Sequence, residues 1–251
     1  MRAIRLEFYK LRRKHLWLMT ALFLCVELAW AFMAASMSFS RNPDNAGWET
    51  IIALLSTMNG LFLPILSAII VSRICDMEHK GNTWKLLLSI SVKPGQLYAA
   101  KYGCASVLML CACIFQVVAI VAFGKMNAFL QPVPILLLVQ FLVGTTVTNL
   151  VVIALQQWIS TAVKNQAFAL CLGMLGGFIG MVGDLFPLSV RRFLVWSYYT
   201  GLSPITQQYT SDKIHFFVRE ISASLPVAGI LMAVAITIFL AGRKFVSRLE
   251  V

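Results

Sequence analysis

Residue types that often perform catalysis are present in this chain, but they do not have the spacing of a catalytic motif. The three histidines, His15, His79 and His215, all lie outside the long apolar runs. There is no H-E-x-x-H motif and no pair of carboxylates within an apolar run, so a metalloprotease or an aspartyl protease has no groups to use. No G-x-x-x-x-G-K-[ST] motif occurs either, so the chain has no P-loop for ATP phosphates. These absences predict that the chain is not an enzyme.

The six cysteines do not have the spacing of a metal site. All of them lie in apolar runs or in segments predicted to be cytoplasmic, so no structural disulfide is expected. Cys111 and Cys113 share one apolar helix and have no histidine at metal-ligand spacing. We expect the cysteines to be small buried residues and the chain to bind no metal or cofactor. They are Cys25, Cys75, Cys104, Cys111, Cys113 and Cys171.

Glu27 is the only ionisable residue within the apolar runs, about halfway along the first of them. Such residues are rare in membranes, and many have a function. Glu27 could contact a cargo or carry a proton. It could also form a structural hydrogen bond with a neighbouring helix. No pair of interrupted helices is repeated in two halves of the chain, a repeat that is typical of inverted-repeat carriers.

The fourth apolar run carries polar side chains at helical spacing. Gln140 and Thr148 share one stripe with Gly144, and Thr145 lies four residues before Asn149. Polar side chains in lipid bind partners on neighbouring helices. This side could therefore hold helices together or line a path for an amphiphilic cargo.

The fifth apolar run contains four glycines in two overlapping G-x-x-x-G pairs. This spacing allows close helix crossing, either inside one subunit or between two. The glycines are Gly173, Gly176, Gly177 and Gly180.

The composition predicts that membrane-spanning helices position these residues. Of the 251 residues 59% are hydrophobic and 12% are charged, and mean hydropathy is +0.82. A bilayer core needs about 20 apolar residues per helix. We predict an all-α integral membrane protein with a single transmembrane domain over residues 1–251. Six spans are expected at about 16–37, 51–71, 102–122, 134–155, 167–182 and 225–241.

The distribution of cations predicts the orientation of the spans. Fifteen of the 21 Lys and Arg residues lie on the side that carries both termini, which predicts cytoplasmic termini. The net charge of +11 is thus explained by topology, because no basic stripe for nucleic acid is present.

Two segments outside the spans have amphipathic patterns. Residues 1–15 place Met1, Ile4, Phe8 and Leu11 on one helical face, with basic residues elsewhere, as in an interfacial helix beside anionic lipid. Residues 183–224 form a long external loop rich in aromatic residues. One or two short helices in the outer leaflet, or a surface loop with an aromatic anchor, would fit that composition.

The segment 73–101 between the second and third spans has the most specific pattern. Trp84, Leu87 and Leu88 fall at i, i+3 and i+4, which predicts a short helix with an apolar face. Gly81 and Asn82 precede that helix and Pro94–Gly95 follow it. Apolar anchors on such a helix usually enter a groove of a partner protein.

These residues resemble the ABC-2-type exporter permeases. Glu78, Gly81, Trp84-Lys85-Leu86-Leu87, the Lys93-Pro94 turn and Lys101 carry the resemblance, and "EHKGNTWKLLLS" is most similar to lantibiotic-immunity and bacitracin-resistance permeases. Many members have proline where this chain has Ser91. The resemblance implies a coupling helix that docks on an ATPase, with its contacts at the residues Glu78, Gly81, Trp84, Lys85, Leu87 and Leu88.

The resemblance also implies the partners. They are a cytoplasmic ABC ATPase dimer that binds ATP and Mg, a second permease subunit (an identical or a related chain) and an amphiphilic peptide cargo. It implies re-entrant helices in the external loop and a location in the bacterial plasma membrane. Two alternatives remain open: an ABC-2 exporter of another lipophilic cargo, such as a drug or lipid, and a carrier or channel that does not use ATP.

Overall fold

The computed structural model describes Glu7, Tyr9 and residues 15–81, 94–163, 165–210 and 213–248. Within these residues the protein is mainly helical, because a chain in lipid must satisfy its backbone hydrogen bonds internally. The helices of at least sixteen residues are α1 (Leu16–Arg41), α2 (Trp48–Gly81), α3 (Pro94–Met126), α4 (Ile135–Ala162), α5 (Gln166–Met181) and α6 (Ile221–Arg248).

Five of these helices are long and apolar enough to cross a membrane, namely α1, the part of α2 from Trp48 to Asp76, α3, α4 and the part of α6 from Ser224 onward. The remaining helix, α5, has 16 residues and is therefore about 24 Å long. A bilayer core is about 30 Å thick. The fold is thus that of a helical multi-pass membrane protein, and a sixth complete span at α5 stays a prediction.

Several helices are longer than the apolar runs from which they were predicted. The second span was expected to end at residue 71 and the third to begin at residue 102, but α2 continues to Gly81 and α3 begins at Pro94. Proline is well suited to a first helical position, because it lacks an amide hydrogen and has a fixed φ. The predicted segment 73–101 therefore consists largely of helix extensions, with residues 82–93 outside the described part.

The long helices alternate in direction, which gives the bundle two ends. At one end, hereafter the terminal end, Gly242 lies against Tyr98 and Trp158, and Gly95 lies against Arg243. The opposite end carries a β-hairpin and is called the hairpin end. Two clusters of buried apolar side chains occupy the bundle between α1, α2, α3 and α4, and a third lies between α4 and α6.

Helix α5 packs antiparallel along α2 through its glycines. A Cβ atom added at Gly177 would lie 2.6 Å from the carbonyl oxygen of Leu61, and one at Gly180 would overlap the carbonyl oxygen of Gly60. Pro64 lacks the amide that would bond to the Gly60 carbonyl in a regular helix, so this oxygen faces α5 without that donor. The four glycines therefore serve packing inside the subunit, an alternative that the sequence left open.

Between α5 and α6 the chain forms short turns and then the hairpin. Single helical turns cover Gly183–Leu185, Leu188–Arg191, Val195–Ser197 and Tyr198–Gly201. Strands β1 (Ile205–Thr210) and β2 (Lys213–Val218) then pair antiparallel, with Ile205 opposite Val218. Short helical pieces were expected in this loop, whereas the two strands were not.

Candidate functional site

Glu27 lies in a buried hydrogen-bonded group at the centre of the bundle. The Gln116 amide, from α3, donates to Glu27 Oε2 at 3.0 Å and to Asn59 Oδ1 at 2.8 Å. All three side chains are completely buried. Glu27 Oε1, Asn59 Nδ2 and Gln116 Oε1 have no hydrogen-bond partner among the described residues. One amide thus joins α1, α2 and α3. The three atoms without a partner could still form hydrogen bonds beside it.

A second buried group links α3 and α4 to the turns that follow α5. The Tyr199 hydroxyl donates to Asn149 Oδ1 at 2.6 Å, and Asn149 Nδ2 donates to Cys113 Sγ at 3.2 Å. Cys113 lies one helical turn before Gln116 on α3, so the two groups are neighbours. We call Glu27, Asn59, Gln116, Cys113, Asn149 and Tyr199 the central polar network.

The central polar network lies near the middle of the bundle. Asn149 is 14 residues beyond Ile135 along α4, or about 21 Å from the hairpin end of that helix. Asn59 is 11 residues beyond Trp48, or about 17 Å. Half of a bilayer core is about 15 Å. Tyr199, which belongs to no long helix, therefore reaches mid-depth between α2, α4 and α5.

The turns that carry Tyr199 are held in place by polar contacts. Arg191 forms an ion pair with Asp184 at 2.6 Å and donates to the Thr200 hydroxyl at 3.1 Å. That hydroxyl in turn donates to Asp184 at 2.9 Å. The Ser203 hydroxyl donates to Ser56 on α2 at 2.9 Å. Trp196 fills the notch at Gly176 and Gly180, where a Cβ atom would overlap the indole or the Trp196 carbonyl oxygen.

The polar residues predicted on α4 divide among three environments. Asn149 belongs to the central polar network, and Thr145 is buried. The Thr148 hydroxyl donates to the Gly144 carbonyl of its own helix at 2.9 Å. Gln140 lies elsewhere, in the wall of a cavity near the hairpin end. The predicted continuous polar side of α4 is therefore not one surface.

A buried ion pair lies at the terminal end. Lys101 Nζ is 3.7 Å from Glu7 Oε2 and donates to the Ile74 carbonyl at 2.9 Å. Both side chains are almost completely buried. This contact joins the N-terminal arm to the end of α2 and the beginning of α3. It flanks residues 82–93, the segment predicted to contact an ATPase.

Most of the predicted coupling residues lie outside the described part of the chain. Trp84, Lys85, Leu87 and Leu88 belong to the undescribed segment 82–93, and Glu78 and Gly81 lie in the last turns of α2. Residues 1–6, 8 and 10–14 of the predicted interfacial helix also lie outside the described part of the chain. The roles of these residues stay predictions.

Four members of the central polar network were not identified from the sequence as polar partners, namely Asn59, Gln116, Cys113 and Tyr199. Asn59 and Gln116 are amides in apolar runs, a signal that could have identified them as partners for Glu27. Tyr199 was expected only as one of the aromatic residues of the external loop, in a short helix or as a surface anchor, and the fold places it beside Asn149. In the described ranges, no group of three His, Cys, Asp or Glu side chains is placed to hold a metal ion.

Long apolar helices around a buried polar network define a multi-pass helical membrane protein. The family model described as "ABC-2 family transporter protein" matches residues 3–180, well over half of the chain. The chain therefore belongs to the ABC-2 transporter family. It is a membrane permease subunit of an ABC transporter, and ATP hydrolysis belongs to a separate ATPase subunit. The comparison with curated proteins gave no match.

Proposed function

We propose that this permease belongs to an exporter that expels an amphiphilic antimicrobial peptide, of lantibiotic or bacitracin type, from the bacterial plasma membrane. The exporter would provide self-protection or resistance. The main observation that supports this transport route is the closed interior of the bundle. Glu27, Asn59 and Gln116 are buried at mid-depth, and apolar clusters fill the space toward both ends. A large cargo therefore needs a path outside this interior.

A path along the surface of the bundle requires a second permease subunit, identical or related, on its other side. Large apolar side chains point outward along α1, among them Leu22, Val26 and Trp30, each more than half exposed. A cargo that is already dissolved in the membrane could enter such a path from the side. This geometry supports an amphiphilic cargo. The peptide class itself rests on the resemblance of residues 78–101 to the immunity permeases.

The same architecture supports coupling through residues 82–93. These residues connect α2 directly to α3, and the two helices meet again at mid-depth through Asn59 and Gln116. A displacement of the ends of α2 and α3 would therefore be transmitted along both helices to the central polar network. The ATPase dimer, with its ATP and Mg, would supply that displacement from the cytoplasm.

A resistance assay tests this function. The chain is expressed with its partner permease and ATPase in a sensitive bacterial strain, and the inhibitory concentrations of a lantibiotic, bacitracin and a lipophilic drug are measured. Protection against a peptide is expected, and it should disappear when the P-loop lysine of the ATPase is replaced. Protection against the drug alone would favour another lipophilic cargo. Protection that survives the ATPase substitution would favour a carrier independent of ATP.

A further inference from the structure

A cavity of about 240 Å³ opens on the side of the bundle, near the hairpin end. It lies between α4, the residues that lead into β1 and the beginning of α6. Its walls are almost entirely apolar, and its mouth is flanked by Leu136 and Leu225, which are 60% and 65% exposed. Side chains this apolar and this exposed on the outside of a transmembrane bundle face lipid. The occupant of the cavity would therefore come from the bilayer.

Four polar residues interrupt the apolar wall, namely Gln140, Ser203, Arg219 and Ser224, and two of them are important here. Gln140 Oε1 is buried and has no hydrogen-bond partner in the described part of the chain. Arg219 lies at the edge toward the hairpin, where its backbone amide donates to the Pro204 carbonyl at 2.7 Å. Within the described residues its guanidinium forms no hydrogen bond or ion pair. The cavity thus combines an apolar chamber with a cation at its rim.

The surrounding charges compensate this cation only in part. Asp184 is already paired with Arg191, so two arginines share one carboxylate in this region. Glu220 accepts a hydrogen bond from Ser222 at the start of α6. Burial lowers the pKa of Arg219 and the neighbouring positive charge of Arg191 lowers it further, whereas the negative charge of Asp184 raises it and offsets part of the shift. An additional anion at this position would oppose both lowering effects.

We propose that the cavity binds a phospholipid with an anionic headgroup. One acyl chain occupies the apolar chamber between α4 and α6, and the headgroup phosphate accepts hydrogen bonds from Arg219. A guanidinium matches two phosphate oxygens at once. An anionic headgroup has no cation of its own to neutralise that phosphate, so it should be preferred over a zwitterionic headgroup beside Arg219. This site does not depend on the identity of the exported cargo, because it requires only lipid in the leaflet at the hairpin end.

The test compares an anionic and a zwitterionic phospholipid that share the same acyl chains. The full chain is purified and reconstituted into nanodiscs, and binding of spin-labelled phosphatidylglycerol and phosphatidylcholine with identical acyl chains is measured. Phosphatidylglycerol is expected to bind about tenfold more tightly, as one charge-assisted hydrogen-bonded pair would provide. Equal binding of the two lipids to the unmodified chain would overturn the proposal.

Matched variants assign the effect to this cavity. Arg219→Gln should remove the preference for phosphatidylglycerol, whereas Arg192→Gln, at an exposed arginine of the same end, should keep it. Ala228→Phe fills the chamber and should weaken binding of both lipids, so the proposal stays testable if the arginine variant does not fold. A preference that persists in folded Arg219→Gln, or undiminished binding in folded Ala228→Phe, would place the bound lipid elsewhere.

Discussion

A carboxylate in the middle of a bilayer is costly unless the protein provides hydrogen bonds for it, and Glu27 receives one from Gln116. The same Gln116 amide also bonds to Asn59, so three helices depend on one side chain. Hydrogen bonds between membrane helices average about 0.6 kcal/mol, but a buried polar atom that loses its partner costs about 1–3 kcal/mol. The donor Gln116 should thus be more important for folding than the carboxyl group of Glu27.

Substitutions at this pair should have unequal effects. Glu27→Gln keeps an oxygen that can accept from Gln116, so folding and export are expected to remain nearly intact. Gln116→Leu removes the donor from two acceptors and should lower the unfolding temperature in detergent much more. If Glu27→Gln folds normally but loses export, the carboxylate has a role in proton coupling or cargo contact, and the structural interpretation of Glu27 is wrong.

Lys101 should be important for stability because its charge is buried beside Glu7. Removing one partner of a buried ion pair typically costs about 3–5 kcal/mol, since the other charge is left without compensation. Lys101→Met is therefore expected to destabilise the protein strongly in thermal unfolding, and adding Glu7→Gln should restore part of the loss. Lys125→Met, at the exposed other end of α3, is the control. Equal stability of the two methionine variants would contradict this role.

Among individual residues, the sequence indicated which polar groups were unusual but not which ones meet. Glu27 and Asn149 were identified from their position in apolar runs, and both are buried in the central polar network. Gln140 was grouped with Asn149 by its helical spacing, yet it lies in a separate cavity. The partner of a polar side chain depends on which neighbouring helix covers that turn. Spacing along one helix does not reveal which helix this is.

Helix α5 depends on the absence of side chains along its contact with α2. A methyl group at Gly177 would meet the Leu61 carbonyl oxygen at 2.6 Å, a backbone atom that cannot rotate away. Gly177→Ala should therefore separate the two helices and cost about 1–3 kcal/mol of stability. Gly103→Ala in α3, where no atom lies within 4 Å of the added carbon, should be neutral or slightly stabilising. Thermal unfolding in detergent compares the two, and an equal effect would exclude close packing as the reason for the glycines.

The predicted coupling helix is tested by its contact with the ATPase. Central aromatic and aliphatic anchors often contribute about 2 kcal/mol or more each to an interface. Trp84→Ala combined with Leu87→Ala should therefore release the ATPase in a pull-down and reduce export. Trp30→Ala, on the exposed face of α1, should retain it. A double variant that keeps the ATPase and full export would show that these residues form an ordinary connection.

Hydropathy located the long helices but not all of their ends. It stops at the first charged residues, such as Arg73, whereas backbone hydrogen bonding continues through them to Gly81. The hairpin was missed for another reason. Its strands are short and alternate only weakly between polar and apolar residues, so aromatic content dominated the interpretation of residues 183–224.

At the scale of the whole molecule, orientation in the membrane is the main prediction. Both termini and residues 73–101 should be protected from external labelling in intact cells. A cysteine placed at Asn42 or at Asp212, in a variant without the native cysteines, should react with a membrane-impermeant reagent. Labelling of residues 73–101 from outside would reverse the orientation and contradict a cytoplasmic ATPase contact.

The position of Tyr199 has a consequence for how the protein is made. The helices that contain Glu27, Asn59, Gln116 and Asn149 all leave the ribosome before the turns at 183–204 are synthesised. Until then Asn149 lacks the Tyr199 hydroxyl, and the notch at Gly176 and Gly180 lacks Trp196. Membrane insertion must therefore proceed with an unfinished interior, and the last quarter of the chain completes it. Premature termination in this region would leave Asn149 without its Tyr199 donor, inside a bundle whose other helices are already made.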